Sequence, residues 1–201
     1  MNSKKINYFK HHTVEIDKRV KIGKNTKIWH WSHISDDVII GSNCILGQNI
    51  FIGKKVSIGS NVKIQNNVSI FSGVTIKKNS FIGPSVVFTN VLRPRAFINQ
   101  KNKYLKTIIG LGCTIGANST IVCGNNIGNY AFIGSNTLVN KEILPFGLYV
   151  GNPAKRIGWV SMNGAKLNLP TEGHKTTKCP VSKVEYILKK DKIFTKDKIL
   201  I

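Results

Sequence analysis

The sequence predicts an all-β fold, a coil of very short strands interrupted by one inserted loop and closed by a small C-terminal appendage. Three observations predict it. Counting in sixes from Ile16, almost every landing is a branched aliphatic, Ile22, Ile28, Ile34, Ile40, Leu46, Ile52 and onward to Ile82, with Phe88 closing the run. Two residues before each landing stands a smaller side chain, such as Val14, Val20, Thr26, Ser32, Val38, Cys44 and Val56. One residue after it Gly recurs, at 23, 41, 47, 53, 59 and 83. No helix and no ordinary strand has a period of six, whereas a two-residue alternation followed by a tight corner does.

The chain must therefore wind. Landings and the residues two before them face inward, because alternate strand residues share a face, and successive coils stack at roughly 4.8 Å. Gly and Asn (Asn25, Asn43, Asn61, Asn67) are expected at the corners, where positive φ costs them little. The pattern breaks at Thr89 and resumes in a new phase at Ile109, Ile115, Ile121, Ile127, Ile133 and Val139. The expected organisation is a solenoid over residues 1–153 with a loop insert at 89–108, its non-repeating part running from Thr89 to Lys106, and an extension over 154–201. Within the extension Val160 to Leu169 reads as a short helix or turn, and Val184 to Ile201 as one or two terminal strands.

Composition narrows the function. The chain of 201 residues has 30 Lys+Arg against 9 Asp+Glu, a formal net charge of +21. Such a charge suits nucleic acid, a membrane surface or small polyanions. The basic residues are spread along the coil and no nucleic-acid motif accompanies them, so no specific nucleic-acid partner is expected and phosphorylated small molecules fit better. Met1 to Lys10 lacks the apolar core of a signal peptide, and no window approaches eighteen apolar residues, so no membrane insertion is expected. The four cysteines form no metal pattern and read as reduced thiols of a cytoplasmic protein. A solenoid exposes flat sides and open ends, which favours an oligomer.

Candidate functional residues lie mainly where the repeat fails. Asn90 stands at the root of the insert, and Arg93 and Arg95 flank Pro94 as cationic forks suited to phosphate or carboxylate. Trp29-His30-Trp31-Ser32-His33 keeps the inward positions while pushing aromatics and imidazoles outward, as a subunit contact or a substrate rim. The hexads resemble those of hexapeptide-repeat proteins, and that resemblance implies eighteen residues per turn, which would place His33 about three coils below the insert, on the order of 14 Å. That is beyond the reach of proton transfer. Near the top, Pro145 and Pro153 end the repeat, and Lys155 and Arg156 place two cations there.

Taken together, the hexads resemble the hexapeptide-repeat acyltransferases, whose fold is a left-handed parallel β-helix with three hexads per coil. The strings Trp29-His-Trp-Ser-His-Ile34, Leu46-Gly-Gln-Asn49, Gly83-Pro-Ser-Val-Val-Phe-Thr-Asn90, Pro94-Arg-Ala96, Gly116-Ala-Asn118, Val150-Gly-Asn-Pro-Ala154 and Ile157-Gly-Trp159 resemble bacterial nucleotide-sugar N-acetyltransferases. The best fit is to those acting on UDP-2-acetamido-3-amino-2,3-dideoxy-D-glucuronate for surface polysaccharide (O-antigen). That resemblance implies a homotrimer with active sites between subunits, acetyl-CoA as co-substrate and no metal. It implies Asn90 as the residue orienting the acceptor amine, with Arg93, Arg95, Gln48 and His33 on the substrate side. Gly116, Gly134, Gly151, Asn152, Lys155 and Arg156 fall on the wall that receives CoA. Two alternatives stay open, an N-acetyltransferase of a dTDP-3-amino-6-deoxyhexose and a non-catalytic binding or scaffold solenoid.

Overall fold

The computed structural model describes residues 7–101 and 103–195, and among these all regular structure is β. The chain winds through three parallel sheets, each a stack of two- to four-residue strands forming one face of the coil. The first face runs from Phe9–Lys10 through Lys27–Ile28, Ile45–Leu46, Lys63–Ile64, Phe81–Ile82, Thr114–Ile115 and Phe132–Ile133 to Gly147–Val150. The second starts at Glu15–Ile16 and His33–Ile34 and ends at Leu138–Val139. The third runs from Lys21–Ile22 to Thr107–Ile109 and is continued by single bridges at Ile127 and Ile143. Strand partners are one coil apart in sequence, as in Ile64 against Leu46 and Ile70 against Ile52.

Inward side chains build the core as continuous ladders. Ile28, Leu46, Ile64, Ile82, Ile115 and Ile133 are all fully buried on the first face, and the other faces repeat the arrangement. Several polar residues two before a landing are satisfied in one recurring way. The Thr26 hydroxyl donates to the Gly41 carbonyl at 2.9 Å, Ser32 to Gly47 at 3.2 Å and Ser119 to Gly134 at 3.1 Å. Cys44 and Cys113 sit in the same place, each thiol directed at the carbonyl of Gly59 or Gly128. Burial first of all pushes the Cys113 thiol up to about 12.

The corners correct one expectation. The glycines that follow a landing are not the left-handed residues. Positive φ falls two positions further on, at Asn25, Asn43, Asn49, Asn61, Asn67 and Asn79 (φ 55–62°), and at Arg19, Trp31, Asp37 and Lys55. These asparagines also bond coil to coil, Asn25 to Asn43 at 3.1 Å and Asn49 to Asn67 at 3.0 Å. What the post-landing glycine provides is clearance: a Cβ on Gly41 would lie 2.5 Å from the Ser60 amide nitrogen of the coil above.

The insert leaves the second face after Phe88 and returns on the third at Thr107, which already pairs with Val74, so the loop ends at Lys106 instead of 108. Ile109 pairs with Ile76, 33 residues earlier, where neighbouring coils are offset by 18 (Ile76 with Ile58), so the insert adds 15 residues. Every ladder continues across it unshifted.

At the top, Gly147–Val150 pairs antiparallel with Lys155–Trp159, so a hairpin spans the 153/154 boundary. Residues 160–172 then form turns with no helix. A three-stranded antiparallel meander follows, Gly173–Lys178, Glu185–Lys190 and Lys192–Thr195. Its first strand went unforeseen because it is exposed along nearly its whole length and has no apolar alternation to betray it. Residues 196–201 of the expected terminal strands lie outside the described residues. Trp159, Leu167, Cys179, Tyr186 and Leu188 form a second small core packed on Leu144 and Phe146.

Candidate functional site

Backbone hydrogen bonds fix the root of the insert. Thr89 N–H donates to Ile121 O at 3.0 Å, and the Thr89 hydroxyl accepts from Cys123 N–H at 3.0 Å. The Asn90 carbonyl accepts from Leu105 N–H at 3.0 Å, tying the two ends of the loop together. Asn90 therefore stands on rigid backbone. It lines a cleft of about 660 Å³ with Phe71, Phe97, Gln100, Lys101 and Tyr104. Among the described residues no carboxylate and no imidazole lines that cleft.

Arg93 and Arg95 do not line it. Both are exposed on the loop, Arg95 Nη1 donating to the carbonyl of Pro94 at 3.2 Å, and Arg93 bordering a smaller cleft with Gln100 and Lys103. A second, larger groove of about 750 Å³ lies between the insert and the third face, lined by Lys54, Lys55, Lys101, Lys106, Tyr104 and Ile108 among others. Sequence reading missed these lysines, since only the folded loop brings residues 54–55 and 101–106 together. Below the groove, on the same edge, two carboxylates are held by cations. Asp37 receives Arg19 at 2.6 and 3.0 Å, and Asp36 receives Lys54 at 3.0 Å. Each of these hydrogen bonds holds its carboxyl below the usual range.

His33 stays remote from Asn90. It pairs with Phe51, Phe51 with Ser69 and Ser69 with Val87, three coils in all, and its Nε2 lies 3.2 Å from Asp17. His11, His12 and His30 group around the first coil with Trp29 and Trp31, ring centroids of His11 and His30 being 3.6 Å apart. Desolvation, then the neighbouring His30 and His12, lowers the His11 pKa. Gln48 is exposed beside Trp29 and His30 in a separate cleft.

The expected cofactor residues lie on other edges. Asn90 follows a second-face strand and so sits on the edge between second and third faces, whereas Gly116 and Gly134, like Gln48, follow first-face strands and sit on the edge between first and second. Gly116 and Gly134 also have packing reasons to be glycine, a Cβ lying 2.4 Å from Ser135 N and 2.8 Å from Val150 Cγ1. Gly151 has positive φ, and its amide donates to the Thr137 hydroxyl at 3.2 Å. Asn152 and Lys155 are exposed. The Arg156 guanidinium stacks over Trp159 at 4.5 Å and reaches Glu172 at 3.4 Å, while its Nε is buried and has no hydrogen-bond partner among the described residues. One chain thus does not bring Asn90 and the glycine edge together. Among the described residues no cluster of three His, Cys, Asp or Glu could hold a metal, and no helix is long and apolar enough to cross a membrane.

Comparison with known proteins agrees with the repeat. Residues 19–54 match the family described as bacterial transferase hexapeptide (six repeats), and residues 37–72 and 106–141 match the hexapeptide repeat of succinyl-transferase. The chain is 45% identical over 62 residues to a dTDP-3-amino-3,6-dideoxy-alpha-D-galactopyranose 3-N-acetyltransferase of Aneurinibacillus thermoaerophilus, covering 31% of this chain and 32% of that protein. It is 41% identical over 64 residues to a chloramphenicol acetyltransferase of Agrobacterium fabrum, covering 30% and 31%. The match thus spans about a third of the length of these relatives. Among solved structures, a GDP-perosamine N-acetyl transferase variant from Caulobacter crescentus in complex with CoA and GDP-perosamine superposes with a TM-score of 0.54 at 14% identity, over 76% of this chain and 58% of that one. The acetyltransferase domain of PglB from Neisseria gonorrhoeae in complex with acetyl coenzyme A gives 0.53 at 12% identity, over 75% and 58%. At these identities the likeness is one of fold.

Proposed function

We propose that this chain, a hexapeptide-repeat solenoid resembling the sugar N-acetyltransferases, is an acetyl-CoA-dependent N-acetyltransferase of a nucleotide-linked 3-amino sugar, with UDP-2-acetamido-3-amino-2,3-dideoxy-D-glucuronate as first choice. The observation that carries this reading is Asn90, anchored by backbone hydrogen bonds in the lining of a cleft where, among the described residues, there is no acid or imidazole base. Transfer of acetyl from a thioester to an amine needs a neutral amine held about 3 Å from the carbonyl carbon. A sugar amine is already partly unprotonated near neutrality, so a strong base is dispensable. The Asn90 amide oxygen can accept a hydrogen bond from the amine without taking its proton. The C–N bond forms as the C–S bond breaks, and the proton leaves to the departing thiolate or to water.

The division of Asn90 and the glycine edge between different edges of one chain supports a homotrimer, in which the edge of one subunit faces the insert of the next. Acetyl-CoA would then lie along that shared crevice, its phosphates near Lys155 and Arg156, where the buried Arg156 Nε is an orphan donor of the kind a phosphate satisfies. The cytoplasm, where acetyl-CoA and nucleotide sugars are at hand, is the proposed location.

Asn90→Ala is expected to lower kcat roughly 100-fold while the KM for acetyl-CoA stays nearly constant, measured as free thiol released in the presence of the amino sugar. Unchanged turnover would remove Asn90 from the mechanism. A second reading has its own support: the similarity to the Aneurinibacillus enzyme favours a dTDP-3-amino-6-deoxyhexose. Side-by-side assays with UDP- and dTDP-amino sugars decide between them, and thiol release from neither would favour a non-catalytic solenoid.

A further inference from the structure

The groove beneath the insert has the chemistry of an anion site. Its floor is apolar on one side, where Val74 and Ile108 of the third face contribute, and Tyr104, 39% exposed, offers its ring at the border. Among the described residues four lysines and no carboxylate line it. Lys54 is neutralised by Asp36 at 3.0 Å. Among the described residues Lys55, Lys101 and Lys106 are in no ion pair, and on the edge below Asp36 is paired with Lys54, Asp37 with Arg19 and Asp17 with His33. Like charges converging on a partly apolar concavity repel one another until an anion enters. Lys55 moreover occupies a left-handed corner (φ 61°), which Asn43, Asn49, Asn61 and Asn67 fill in neighbouring hexads, so a lysine stands where backbone preference favours asparagine. Lys101 and Tyr104 also line the Asn90 cleft, so one wall separates the two cavities.

We propose that this groove binds the pyrophosphate of the nucleotide-linked acceptor, with Lys55, Lys101 and Lys106 on the phosphate oxygens and the Tyr104 ring against the adjoining ribose or base. The sugar then extends over the shared wall to Asn90. The inference rests on the acetyl-transfer reading and adds the location of the acceptor's nucleotide. CoA carries the same pyrophosphate chemistry, but its assigned cations, Lys155 and Arg156, lie on the strand that caps the first face.

The test is equilibrium binding without turnover. UDP, dTDP and CoA are titrated separately by calorimetry into the full chain, wild type and the Lys55→Asn/Lys106→Gln double variant, at low and moderate salt. Lys55→Asn installs the residue its corner favours, and Lys106 is exposed, so a thermal melt should show the variant folded. Expected is a roughly tenfold weaker Kd for UDP or dTDP, an unchanged Kd for CoA, and nucleotide binding that weakens with salt. The proposal is overturned if neither nucleotide binds the wild type, if nucleotide affinity ignores the substitutions, or if the loss falls on CoA. Lysine-dependent nucleotide binding in a protein that acetylates no amino sugar would sink the enzymatic reading and leave the groove. Intact acetyl transfer with lysine-independent nucleotide binding would do the reverse.

Discussion

A methyl group at Gly116 would meet the Ser135 amide nitrogen at 2.4 Å, backbone that cannot swing away. Gly116→Ala is therefore expected to cost about 1–3 kcal/mol, measured by urea denaturation, whether or not CoA lies nearby. Sequence reading located the post-landing glycines from their spacing and expected positive φ of them, whereas the structure gives clearance from the next coil as the reason, because period six is visible in one dimension and the coil above is not. A cofactor role for Gly116 must therefore be tested by CoA binding and not by the loss of stability. The thiol of Cys113 makes a prediction in pH. Its folded pKa is raised to about 12 from 9.0, so between these values the unfolded chain releases a proton that the folded chain keeps, and stability falls as pH rises through that window. Thermal melts between pH 8.5 and 11 should show a shallower decline for Cys113→Ala than for the wild type.

Each strand contributes one ladder rung, and rungs are unequal. Ile64 is fully buried between Leu46 and Ile82, so Ile64→Ala is expected to lose about 2–5 kcal/mol in chemical denaturation. Its outward neighbour Lys63 should tolerate Ala within about 0.5 kcal/mol. That alternation was legible because burial alternates with it. The meander strand Gly173–Lys178 was illegible for the same reason in reverse, since its exposed polar residues take their order from pairing with Glu185–Lys190. Within that appendage Tyr186 is fully buried, and its hydroxyl accepts from Met162 N–H at 3.0 Å. Tyr186→Phe should cost about 1 kcal/mol, and Tyr186→Ala about 3–5 kcal/mol, both read as shifts in the melt.

For the whole molecule, the regular repeat made its own interruption visible, and so singled out the insert and Asn90 as the candidate site. It could not show that Lys55 and Lys106 share a groove, nor that Arg93 and Arg95 stay out of the lining of the Asn90 cleft, because loop conformation has no period. The proposed trimer predicts that light scattering gives three times the 22.3 kDa chain mass.

The uninterrupted ladders on either side of the insert have a consequence for how such a chain can change. Excising residues 90–104 joins Thr89 to Leu105 and makes Phe88 and Ile109 successive landings, with Thr107 two before the second. The proposed acceptor residue Asn90 is thus carried on a segment spliced into a rod whose ladders close without it. Specificity could be regrafted there while the scaffold stays untouched.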